Sequence, residues 1–211
     1  INLASKLVVT NNFLTIAGQT APSPGILLRN WGISFQGHDI VMRHIRIRVG
    51  KTPGGGNNDP MEILGPNGFN IVLDHCSFSW ATDENFSTWE INDPLVPANG
   101  AKDITVSRCI MSENLDTATG GGALSGDYTK RHLFVGCLFA HNQDRNPYFK
   151  GGVESMMANS VIYNWNGNQA AYHADPEGSG SSLVTILGSR FIRGLSTDAG
   201  RPIKLYNTAK P

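Results

Sequence analysis

NIVLDHCSFS, residues 70–79, decides the fold, because the chain repeats it. DIVMRHIRIR (39–48), DITVSRCIMS (103–112) and HLFVGCLFA (132–140) register on it directly, and MMANSVIY (156–163) and VTILGSRFI (184–192) are weaker copies. One column reads Ile45, Cys76, Cys109, Cys137, Ser160, Ser189. Three residues earlier stand Met42, Leu73, Val106, Phe134, Met157 and Ile186, and two residues later stand Ile47, Phe78, Met111, Phe139, Ile162 and Phe191. The outer columns are apolar in every copy. Inward positions within a strand recur every two residues, so an offset of three requires a tight bend between two short strands. The copies recur at roughly 23–33-residue intervals, within the range of repeat architectures. Strand, bend, strand and a variable loop back to the start describe one coil of a right-handed, single-stranded parallel β-helix, an all-β solenoid whose columns become ladders down the interior.

Composition agrees. Charged residues make up only 16% of the 211, against 40% hydrophobic and 24 Gly, so the surface is covered by small polar residues rather than by charge, as in a loop-rich β protein. No segment carries a 3.6-residue stripe, which excludes a helical bundle. Seventeen basic residues balance seventeen acidic ones. No global field draws in nucleic acid, and a polyanion must be met by a local cleft. No apolar run approaches a membrane span. The chain opens at Ile1 already in a strand-like pattern, and residues 1–211 are expected to form one β-helix domain truncated at one or both ends. Cys76, Cys109 and Cys137 share one inward column and are expected to pack as small apolar groups, since three cysteines make no disulfide framework.

The chemistry lies in the loops that leave each coil on one flank. SWATDENFSTWE (79–90) carries Asp83 and Glu84, and AHNQDRNPYFKGG (140–152) carries Arg145 and Lys150. Glu84 stands as far past Cys76 as Arg145 stands past Cys137, which places them at matching positions two coils apart. KTPGGGNNDPME (51–62) brings Asp59 and Glu62 to the same flank. Carboxylates on neighbouring coils with cations further along suit a hard divalent metal and an anionic ligand. Asp83 and Asp59 could instead cap turns, and Arg145 could pair with a surface carboxylate such as Asp144 or Glu154. Asp74 and His75 point away from the apolar columns and are expected to bond neighbouring turns. Trp80, Trp89 and Tyr148 are candidates for stacking on sugar rings or for covering the core. His141 and Glu113 hold equivalent places on adjacent coils.

LDHCSFSWATDE, LFAHNQDRNPYFKGG, SVIYNW and the opening LTIAGQTAPSPGILL together resemble the pectate lyases of polysaccharide lyase family 1, over about residues 14–165. The resemblance implies a secreted or periplasmic enzyme that binds Ca²⁺ and cleaves polygalacturonate by β-elimination, and the chain is expected to be a monomer. It implies Asp59 and Asp83 as calcium ligands, with Glu84 or Glu62 substituting where the family's second carboxylate falls on Ser87. It implies Arg145, followed by Pro147, as the catalytic base, and Lys150 at a substrate-binding arginine. A family lysine falls in residues 119–123, where this chain has only Gly and small residues. Nearby Ca²⁺ and Lys150 would disfavour the charged form of Arg145, so the rate is expected to climb toward alkaline pH. A non-catalytic polysaccharide-binding β-helix remains the alternative. A glycoside hydrolase is not favoured, because the Asn-Thr-Asp and Gly-His-Gly segments of polygalacturonases are missing.

Overall fold

The computed structural model describes residues 1–51, 56–91, 96–115, 120–167, 169–176, 178–197 and 200–206. Every strand pairing among them is parallel, and the strands of each sheet step through the chain in threes. This is a parallel β-helix.

The two columns read from the sequence become two of its sheets. Met42, Leu73, Val106, Phe134, Met157 and Ile186 pair in unbroken register. Ile47, Phe78, Met111, Phe139, Ile162 and Phe191 do the same on the other side of the bend. The bend is a single left-handed residue just before the cysteine column: His44, His75, Arg108, Gly136, Asn159 and Gly188 all have φ between 49° and 64°. One residue in that conformation turns the chain sharply without a loop, which is what the offset of three demanded.

Two features lay beyond the sequence pattern. The stretch expected to be a return loop contains a third, eight-stranded sheet, including Met61–Gly65, Glu84–Glu90, Gly121–Ser125 and Tyr148–Phe149. An earlier coil, Leu14–Ala17 and Ile26–Arg29, also belongs to the stack. It escaped the repeat because residues 18–25, with a short 3-10 turn at Gly18–Thr20, replace its one-residue bend.

The interior is one apolar column of Ile, Leu, Met, Val and Phe, with Phe78, Phe86, Phe134 and Phe139 in successive ring contacts. The three cysteines are free and buried. The Cys109 sulfur accepts the Cys76 amide at 3.3 Å, and Ser160 and Ser189 continue the same ladder one rung at a time. Burial pushes the Cys137 thiol up to about 11, so it is an inert packing group.

Candidate active site

The third sheet carries the site at the edge where its strands begin. Asp59 lies two residues before Met61–Gly65, Glu84 opens Glu84–Glu90, and Arg145 precedes Tyr148–Phe149. Parallel stacking therefore collects residues distant in sequence on one rim. They line a groove of about 400 Å³ with Lys6, Glu62, Ser87, Trp89 and Leu124.

Asp59, Asp83 and Glu84 each turn a carboxylate oxygen into a cluster no wider than 4.8 Å. Asp59 is buried; one oxygen accepts the Glu84 amide at 3.0 Å and the other accepts the Ser87 hydroxyl. Burial pushes its carboxyl up to about 8; the Ser87 bond opposes this, and the charges of Asp83 and Glu62 add to it. Three oxygen donors and a carboxyl held neutral by burial and crowding fit a hard divalent cation, which would relieve the repulsion. Ser87, standing where the resemblance expects a carboxylate, orients Asp59 instead.

Arg145 reaches this cluster from two coils away. Its Nη1 is bonded to Glu84 Oε1 and lies 3.4 Å from Asp83 Oδ1. The path depends on Gly121, on the strand between: a β-carbon there would sit 2.5 Å from Arg145 Cβ and 2.8 Å from its Cδ. The small residues that replace the family's lysine thus clear the way for the arginine, within the described part of residues 119–123; Thr119 lies outside the described residues. Arg145 itself is left-handed, φ 55°, and its guanidinium faces the Tyr148 ring at 5.9 Å.

Behind the rim runs an asparagine ladder that the sequence did not announce. Asn85 donates to Asn142 at 2.9 Å, Asn142 donates to Asn146 at 2.9 Å, and all three are buried. These side chains satisfy one another across coils and fix the turns that present Glu84 and Arg145.

Lys150 is placed differently from Arg145. It is buried, its Nζ 2.6 Å from Asp127 Oδ2 and 4.1 Å from the Trp89 ring, which covers it. Asp74 and His75 pair at 3.0 Å at the bend between the other two sheets, outside the groove. Trp80 donates to Glu113 at 3.2 Å, and His141 is 2.8 Å from Asn164, both on the outer corner. The first part of the glycine-rich loop, residues 52–55, lies outside the described residues.

A carboxylate cluster with an arginine laid into it thus lies on the flank of a parallel β-helix. Relatives carry the likeness along the chain. A protein of Neosartorya fischeri named probable pectate lyase C is 38% identical over 199 residues, which are 93% of this chain and 43% of that relative. Over most of its length, the chain is therefore similar to a part of that probable pectate lyase. Proteins of the same name from Aspergillus oryzae (38% over 198 residues) and Aspergillus terreus (35% over 201) likewise match 93% of this chain and 43% of their own length. The chain thus spans less than half the length of the curated relatives it matches. No family model matches it.

Proposed function

We propose that this chain cleaves 4-linked polygalacturonate by calcium-dependent β-elimination, outside the cell and as a monomer. The reading rests on one observation above all: Arg145 and three oxygen donors, Asp59, Asp83 and Glu84, meet at one edge of one groove. Those three residues would hold Ca²⁺, and the bound ion supplies a Lewis acid for a uronate carboxylate. Asp59, fixed by the Glu84 amide and Ser87, orients that set. Arg145, released from Glu84 and having given up a proton to solvent, takes the C5 proton of the sugar as a neutral guanidine; the C5–H electrons form the C4=C5 double bond as the C4–O bond breaks, and the departing oxygen takes a proton from solvent water. Lys150 enters as a buried charge behind Trp89 rather than as a direct contact.

The test is ultraviolet absorbance of the conjugated C4=C5 product on polygalacturonate, with Ca²⁺ and then with a chelator, for wild type and Arg145→Ala. A calcium-dependent rise that disappears in the variant supports the lyase. No rise from folded protein that still retains the polymer on an affinity gel overturns it in favour of a binding module.

A further inference from the structure

The groove continues past the carboxylate cluster onto a surface of different character. Trp89 alternates with the buried Thr88, pairs with Leu64 across the sheet and so faces outward. From Glu84 to Trp89 the strand runs roughly 16 Å, a few sugar rings. Its neighbour on the next coil is Gly126, where a β-carbon would stand 3.0 Å from Trp89 Cε3, so the indole packs over a bare glycine. Beneath it the ring covers Lys150 Nζ, and Ser179 donates to the paired Asp127 at 2.7 Å. The cation that the resemblance offers to substrate is therefore withdrawn under an aromatic lid. Leu64 and Leu124 complete an apolar floor.

The charges on the groove wall point the same way. Glu62, Asp83 and Glu84 line it as acids, with the buried Asp59 and Glu90 beside them, while its described cations are Lys6, 2.8 Å from Glu62, and Arg145, bound to Glu84. Away from the proposed cation cluster, a bare galacturonan still brings one negative charge per sugar to a wall whose described cations are Lys6 and Arg145, and each such charge is desolvated at a cost. A methyl-esterified sugar brings none, and its methyl group gains from apolar contact. We infer that the groove selects partly methyl-esterified galacturonan, with one free carboxylate at the Asp59–Asp83–Glu84 cluster and an esterified sugar on Trp89, Leu64 and Leu124. This deepens the lyase reading and rests on it for the first of those two positions.

The test compares galacturonans of one length with no, intermediate and complete esterification, in Ca²⁺. Initial rates are read by product absorbance, and binding of esterified and saponified oligomers is read by calorimetry. Intermediate esterification is expected to give a several-fold higher kcat/KM than the bare polymer, with that ratio falling to near one in Trp89→Ala and kept in Trp89→Phe. Preference for the bare polymer by the wild type, or an unchanged ratio in Trp89→Ala, overturns the inference. The wild-type ratio decides the matter if the alanine variant does not fold. Should no substrate be eliminated, the lyase reading fails, and calorimetry still separates the two ideas. Tighter binding of esterified oligomers that depends on Trp89 keeps the apolar subsite, and equal or weaker binding removes it.

Discussion

The guanidinium of Arg145 is bonded to Glu84, a carboxylate of the candidate cation cluster two coils away. The proposed base and a proposed metal ligand are thus each other's partners, and a divalent cation entering the cluster would compete with the arginine for the same oxygens. Charge-assisted bonds of this kind are the strong ones. Removing the competitor should therefore tighten calcium. Arg145→Ala is expected to raise Ca²⁺ affinity about tenfold, equivalent to about 1.4 kcal/mol, while elimination is lost. Calorimetric titration with Ca²⁺ checks this, and weaker binding in the variant would show that Arg145 supports the cluster rather than occupying it.

Gly121 offers an independent handle on the same contact. Its missing side chain is the passage for Arg145, and the nearest atoms to an added methyl belong to that side chain. Gly121→Ala should displace the arginine with a modest loss of stability, about 1–3 kcal/mol for a locally overpacked site. Activity should fall by far more than the urea midpoint predicts. Retained turnover would mean that the arginine works from another position.

Ser87 stands where the resemblance calls for a carboxylate, and its hydroxyl bonds Asp59. Ser87→Asp adds a ligand but places a fourth acid beside an already crowded cluster of three. Without metal the variant should melt below the wild type; with saturating Ca²⁺ its rise in Tm should exceed the wild-type rise, because ligand binding stabilises in proportion to affinity. A rise no larger than that of the wild type would place the cation elsewhere.

Much of this was readable from residues alone. The columns through Met42 and Ile47 showed in the sequence because each buried position is apolar and the bend between them is one residue long. The third sheet was hidden because its strands sit in segments whose length varies from coil to coil, so no fixed offset reveals them. Glu84 and Arg145 could be matched by counting from Cys76 and Cys137, and the structure brings them together. The withdrawal of Lys150 could not be foreseen, since it depends on Asp127, brought alongside by coil stacking rather than by any local motif. The asparagine ladder through Asn142 was missed for the same reason: exposed and buried asparagines look alike until a neighbouring coil supplies their partners.

His132 carries a prediction about pH rather than about the site. It is buried inside the coil between Phe86 and Phe134, with Nδ1 2.9 Å from Ser125 Oγ. Burial pushes its imidazolium down to about 3 from an ordinary 6.5. Between those values the unfolded chain binds a proton that the native state refuses, so acid favours unfolding. Its contribution to stability is full above about pH 6.5 and declines as pH falls toward 3, with a slope of at most about 1.4 kcal/mol per pH unit. Replacing the imidazole by phenyl and removing the stranded hydroxyl, His132→Phe with Ser125→Ala, should flatten that part of the curve while leaving an apolar core intact. Urea unfolding at pH 7, 6, 5 and 4 (roughly the window set by the ordinary and shifted values) measures it. Parallel curves for wild type and variant would show that carboxylates such as Asp74 and Asp103, held below the ordinary carboxylate range by His75 and Arg131 against the opposing effect of burial, carry the acid sensitivity instead.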